Sequence, residues 1–352
     1  MKTPEDSWRL VFDAGGTNIR FGLVDDKGAI DPFSLRKIKT AKVISNREEF
    51  LELIVSTVRY FGVSQRKFVI SIAGPVSSDH RVIRKYTNVL RDDMDIPIAE
   101  MVEDRLKTDM CLKAKVFVIK DAVAASLAET GPSGAASDRN EVFSLILGTG
   151  TGGAPCIREK NGLFSYPESL ADLGHYQVDV FNTEMCNCGG RGCVELQTSG
   201  TAIVRNANSL AKDERNYYPS LLYSEKNLKP GSISGEDIAW AAAKGDPFVT
   251  DLLSKAARPL AALLRNVFTS HPGMTIVFTG GFALGMGEPL LILVKNCLKN
   301  SGIPFIDKSS LDGFINERVL LGKIPSDQTN LVGARMFLLQ KERFEQCIGE
   351  ST

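Results

Sequence analysis

The feature that most restricts the fold is a pattern that occurs twice. An apolar run at 10–12 stops at Asp13, Ala14-Gly15-Gly16-Thr17-Asn18 makes a turn, and Ile19, Phe21 and Leu23 then alternate as a second strand does. A stretch of Gly, Pro, Ser, Ala and Asp at 131–140 reads as a linker. Beyond it the pattern returns: strand 142–147, glycine turn 148–153, second strand 154–157. The recurrence predicts two related α/β halves, 1–130 and 131–352, with a closing helix near 331–345 packing back on the first. A chain of 352 residues suits two cores of ordinary size.

Both glycine turns lie between strands, whereas a dinucleotide fingerprint must open a helix, and neither carries the Walker lysine pattern. A glycine hairpin can present backbone N–H groups to a phosphate, with a threonine hydroxyl as a further donor. Taken singly, each is equally well an ordinary β-hairpin.

Charge gives no global pull on an anion. Lys plus Arg equals Asp plus Glu at 42 each, so neither nucleic acid nor an anionic membrane is an expected partner. The polar start, with no apolar run after it long enough for a signal peptide or a span, makes the cytoplasm the expected compartment. Seven cysteines do not pair off into a complete disulfide framework. Three of them crowd together as Cys186, Cys188 and Cys193, while most of Cys111, Cys156, Cys297 and Cys347 are expected to be buried small apolar residues.

Between these landmarks, Leu51, Ile54, Val55 and Val58 recur at helical spacing. The run 68–72 is a strand ending at Ala73-Gly74-Pro75, and 115–119 is a strand followed by Asp121 and a helix over 122–129. The polar, turn-rich segment 217–234 reads as a surface insertion. Helices are predicted over 239–243 and 247–269, and a strand over 275–278 runs into Gly280-Gly281.

The most specific signal is Gly174-His175 followed by Cys186-Asn187-Cys188-Gly189-Gly190-Arg191-Gly192-Cys193-Val194-Glu195. One His and three Cys supply the four ligands of a closed, tetrahedral zinc site, whereas a catalytic zinc keeps a position open for water. The glycines let the loop wind tightly around the ion. The plain alternative is four unrelated residues in one loop.

Together these motifs resemble the sugar kinases of the actin and hexokinase superfamily. Within it, the cysteine segment resembles that of the ROK family (repressors, open reading frames and kinases). The likeness runs from Asp13 to the last helix, where Gly333-Ala334 looks like the family's C-terminal helix start. It implies an α/β fold of two ribonuclease H-like (actin/hexokinase ATPase) domains around a cleft, ATP with Mg2+, a structural Zn2+, and a homodimer for which the sequence itself shows no interface. Only about a dozen residues precede Asp13, too few for the DNA-binding unit of the repressor branch.

Residue by residue, the resemblance makes Asp121 the base that takes the proton of the phosphorylated hydroxyl, the plain alternative being a helix cap. It assigns ATP to Asp13, Gly15, Gly16, Thr17, Asn18, Gly148, Thr149, Gly150, Thr151, Gly152, Gly280 and Gly281. The sugar falls to Gly74, Asn88, Lys120, Asp172, His175 and Glu195, with His175 also a metal ligand beside Cys186, Cys188 and Cys193. Two positions depart from the family pattern. Lys120 stands where the family has Asn before the catalytic Asp, and Ala171-Asp172 replaces Gly-Glu. An ammonium donates but cannot accept, so Lys120 cannot copy an amide. It either faces solvent, alters the substrate, or weakens catalysis.

Phosphorylation of glucose to glucose 6-phosphate, the entry step of glycolysis, is the leading expectation. An N-acetylated hexosamine, mannose, fructose or allose are alternatives within the class. A sugar sensor with little catalysis is the reading from another class, and a zinc-dependent hydrolase ranks third because the ligand set looks closed.

Overall fold

The computed structural model describes residues 7–42, 46–63, 65–85, 94–166 and 173–349. The chain forms two compact units. One comprises residues up to Ser137, Lys160–Phe164 and the chain from Asp327 on; the other comprises Asp138–Glu159 and Ser165–Ser326.

In the first unit the strands are β1 (Arg9–Ala14), β2 (Asn18–Val24), β3 (Arg36–Lys39), β4 (Lys67–Ile72), β5 (Ile83–Lys85), β6 (Met94–Ile96) and β7 (Lys115–Lys120). Five of them make a sheet of order β3-β2-β1-β4-β7. β2 is antiparallel to β1 and β3, while β1, β4 and β7 run parallel. The parallel strands are almost wholly buried apolar runs, as strands covered on both faces must be. One covering helix is α1 (Arg47–Phe61), which starts where the Asn46 side chain accepts from the Glu49 N–H and ends at left-handed Gly62. It packs on α2 (Ile98–Met110), and α3 (Asp121–Thr130) follows β7 directly.

The closing helix Thr329–Gly349 lies against α3 so tightly that a Cβ at Gly333 would stand 1.7 Å from the Ala124 carbonyl oxygen. Only glycine permits that approach, and it fixes the helix that carries Asp121 at its first residue. The passage to the second unit comes after Ser137, not at 130–131, because the linker folds back on α3. Ala136 N–H donates to the Glu129 carbonyl at 2.9 Å and Ala135 N–H to the Glu129 carboxylate at 2.8 Å.

The second unit repeats the first. Its strands β8 (Glu141–Leu147), β9 (Thr151–Arg158), β10 (Phe164–Ser165), β11 (Thr275–Thr279) and β12 (Val319–Leu321) are ordered β10-β9-β8-β11-β12. β8 and β9 form an antiparallel hairpin, and β8, β11 and β12 are parallel. The chain is thus one ribonuclease H-like α/β arrangement used twice. The long helix Pro247–Ser270 buries Val249, Leu252, Leu253, Ala256, Leu260, Leu263, Leu264 and Val267, one apolar stripe at helical spacing. Its N-cap Asp246, fully buried, accepts from Val249 N–H, Leu221 N–H and the Ser220 hydroxyl at 2.6–2.9 Å.

Two expectations are corrected here. The segment 217–234 is no mere surface insertion: Tyr217, Leu222 and Ile233 lie in the second core, and the Tyr217 hydroxyl donates to the Leu228 carbonyl at 2.9 Å. Polar spacers hid the few apolar anchors. Among the scattered cysteines, Cys156 is buried and Cys297 half-buried, but Cys111 is exposed. It is the left-handed C-cap of α2, where backbone geometry rather than apolar packing sets its place. Among the described residues no single helix is long and apolar enough to cross a membrane.

His80 gives this fold an acid sensitivity. Its half-buried ring meets Phe337 edge-on at 4.7 Å, and its Nδ1 lies 3.2 Å from the Val118 carbonyl oxygen. Burial first, and Lys341 second, push its pKa down to about 4, against the Val118 carbonyl and Asp79. Between that value and the ordinary 6.5 the unfolded chain binds the extra proton, so stability is present at neutral pH and falls as pH drops through this window. From pH 7 to 4.5 wild type should lose about 2 kcal/mol more than His80→Asn, a residue that tolerates the left-handed backbone here. Urea unfolding at both pH values checks this; equal losses in the two proteins would contradict it.

Candidate active site

In the first unit the parallel strands end side by side. β1 ends at Asp13-Ala14, β4 leads into Ala73-Gly74, and β7 ends at Lys120, paired with Ile72. Ligands of such sheets bind beyond the carboxyl ends of the strands. The Ala73 N–H donates to the Ala14 carbonyl at 3.3 Å, which ties the Gly74-Pro75 loop to the first hairpin.

That hairpin is pinned from outside. Gly15 N–H donates to the Asn18 carbonyl at 3.0 Å, the Thr40 hydroxyl to the Gly15 carbonyl at 2.8 Å, and Thr40 N–H to the Thr17 carbonyl at 3.0 Å. Gly16 is half-exposed and Thr17 exposed at its tip. Asp13 is buried and its carboxylate is fully engaged. Oδ2 pairs with the Arg20 guanidinium at 2.9 Å, and Oδ1 accepts from the Ser71 hydroxyl at 3.2 Å and the Asn330 amide at 3.0 Å. Burial raises its pKa above the usual carboxylate range, while Arg20 pulls it down. No sequence signal singled out these three partners, which come from three separate segments.

Asp121 opens α3, with Oδ1 accepting from its neighbour Ala122 N–H at 2.7 Å, and both it and Lys120 are half-buried. Asn88 and Asp172 lie outside the described residues.

In the second unit the structure brings His175, Cys186, Cys188 and Cys193 together, with one ligand atom from each lying within 4.8 Å of all the others. Cys188 Sγ and Cys193 Sγ are 3.7 Å apart, and Cys186 Sγ is 3.6 Å from His175 Nδ1. Metal–sulfur bonds of about 2.3 Å in a tetrahedron separate sulfurs by about 3.8 Å, so the spacing fits a single ion. Burial pushes the Cys193 thiol up to about 12 and raises Cys186 too, with the crowding of neighbouring thiols adding to it. Three thiols so close cannot all ionise without a cation among them, and a cation reverses the balance.

This cluster is joined to the second glycine turn. Glu195, two residues after Cys193, accepts from the Thr151 N–H through Oε2 at 2.9 Å, while its Oε1 lies 4.0 Å from Cys186 Sγ. Gly174, the neighbour of His175, lies under the turn: a Cβ there would stand 1.8 Å from the Thr151 carbonyl oxygen, so no other residue fits. Gly200 N–H donates to the Gly148 carbonyl at 2.8 Å, and Gly148 N–H donates to the Gly150 carbonyl at 2.9 Å. The Thr151 hydroxyl is buried against Thr198, at 3.0 Å. Gly152 has open space where a Cβ would be. Gly280 starts the helix Gly280–Met286 and lies on the same turn's root, its Cβ position 2.6 Å from the Leu147 carbonyl oxygen; Gly281 follows it.

The ROK family profile matches residues 9–300. The chain belongs to the ROK family. A glucokinase of Streptomyces coelicolor is 31% identical to this ROK protein over 278 residues, 77% of this chain and 81% of that one. A glucokinase of Thermotoga maritima is 29% identical over 282 residues, 79% and 83%. A Streptomyces griseus ROK glucokinase, solved with glucose and AMPPNP, shares the fold with a TM-score of 0.70 and 24% identity, covering 93% of this chain and 98% of that chain.

Proposed function

We propose that this ROK protein is an ATP-dependent hexose kinase whose preferred sugar is glucose, phosphorylated on its 6-hydroxyl. The observation that carries the reading is the single cluster made by His175, Glu195 and the turn Gly148–Thr151, where sugar-type ligands brace a glycine turn through the 2.9 Å contact of Glu195 with the Thr151 N–H. Relatives that are glucokinases over about four-fifths of the chain support the same reading.

Asp121 takes the proton of the attacking hydroxyl, and backbone N–H groups of the glycine turns hold the phosphates, with Mg2+ bound to ATP neutralising their charge. His175, Cys186, Cys188 and Cys193 would hold Zn2+. When bound, that ion supplies no proton chemistry; it closes the loop and fixes the His175 tautomer. His175 then offers its other ring nitrogen, and Glu195 its carboxylate, to sugar hydroxyls. ATP as donor and thiolates held reduced for a metal both suit the cytoplasm. Assembly as a homodimer rests on family likeness alone.

Lys120 donates to a sugar hydroxyl in this reading. Lys120→Ala should then raise the KM for hexose roughly tenfold, the worth of a charged hydrogen bond, and leave the KM for ATP unchanged. Steady-state kinetics with each substrate varied in turn checks it, and an unaltered KM for hexose would place Lys120 outside the sugar site. For the substrate itself, kcat/KM for glucose, mannose, fructose, allose and N-acetylated hexosamines is compared by ADP release. Glucose is expected to rank first. Glucose binding without turnover of any sugar would make the chain a sensor instead.

A further inference from the structure

A kinase of this kind needs a nucleotide turn of fixed shape, and the segment behind the metal loop supplies it. Thr198 ends the short helix Glu195–Thr198 and is fully buried. Its hydroxyl donates to the Val194 carbonyl at 2.9 Å. A hydroxyl has one proton, so towards Thr151 the Thr198 oxygen is the acceptor, and the Thr151 hydroxyl 3.0 Å away is the donor. Thr151 N–H is held by Glu195 at 2.9 Å. Both donors of Thr151 are therefore turned inward, away from any phosphate.

We infer that Thr198 is a positioning residue for ATP. By holding the Thr151 hydroxyl inside, it sets the turn Gly148–Thr151 so that the N–H groups of Thr149 and Gly150, not the Thr151 side chain, meet the phosphates. The inference rests on the kinase reading above and goes beyond it in assigning a role to a residue that touches neither substrate. The rival account makes Thr198 a core filler, for which valine of the same shape would serve as well.

The test uses the zinc-loaded protein, calorimetric titration with Mg2+ and a non-hydrolysable ATP analogue, and steady-state kinetics. Thr198→Val should bind the analogue about tenfold more weakly and raise the KM for ATP to match, with the KM for hexose and kcat within about twofold of wild type. Thr198→Ser keeps the hydroxyl and should behave as wild type. Thr151→Val removes the other half of the bond and should show the same loss, and the double variant should be no worse than either single one. If Thr198→Val does not fold, Thr151→Val and Thr198→Ser still decide. Analogue binding by Thr198→Val or Thr151→Val equal to wild type, or an equal loss of hexose affinity, overturns the inference while leaving the kinase reading intact. Failure of wild type to bind the analogue overturns both.

Discussion

Asp121→Ala lowers kcat by about a thousandfold or more, the span of a lost general base, while zinc content and hexose affinity stay near wild type. The geometry makes the test decisive. Asp121 follows the last residue of β7 and opens α3, and its carboxylate accepts from Ala122 N–H at 2.7 Å. If that contact were its whole role, the residue would be a helix cap, and its removal would cost about 1 kcal/mol of stability and leave turnover within a few-fold. A base and a cap thus differ by orders of magnitude in kcat and hardly at all in unfolding. Rapid-quench single turnovers with and without the substitution separate them. A variant that turns over at near wild-type rate assigns Asp121 to the helix alone.

The second large effect is expected at the metal loop. Cys193→Ser should release the ion, loosen the loop 175–195, reduce kcat/KM at least a hundredfold and lower the unfolding free energy by about 4 kcal/mol. Cys193 is buried, and without a cation burial and the neighbouring thiols push its thiol up to about 12, so an empty loop keeps that thiol protonated where a bound ion would hold the thiolate. The damage spreads because Glu195 and Gly174 carry the loop's position to Thr151, at 2.9 Å through the carboxylate. Both KM values should therefore rise, that for hexose through His175 and Glu195 and that for ATP through the turn. Elemental analysis, urea unfolding and kinetics on the same preparation check this. Full activity in a protein shown to hold no zinc would refute the bracing role.

What could be read from the chain was local. Apolar runs gave β1, β4, β7, β8 and β11, because parallel strands buried on both faces need continuous apolar stretches. The close spacing of the cysteines gave the cluster that folding gathers with His175, because residue types suited to a tetrahedral site sit close together in the chain. The doubling of strand and glycine turn gave the repeated unit.

What escaped depended on distance along the chain or on weak local signals. Helix Ile98–Met110 starts after Pro97 with no capping side chain and shows only a modest apolar stripe. Tyr217 is a core residue inside a polar stretch. The partners of Asp13 come from Arg20, Ser71 and Asn330, and the two donors of Thr151 end on Glu195 and Thr198, contacts that only folding creates. The residue types of the candidate site could be named from the chain; that both Thr151 donors are held by the protein could not.

Phosphoryl transfer from ATP to a hexose hydroxyl leaves two products, ADP and a sugar phosphate. Phosphorus NMR of the wild-type protein with ATP, Mg2+ and glucose follows both products at once. ADP and glucose 6-phosphate are expected to rise together in equal amounts, with neither formed when glucose is omitted. ADP accumulating with free phosphate and no sugar phosphate, or no ADP with any hexose offered, would contradict it.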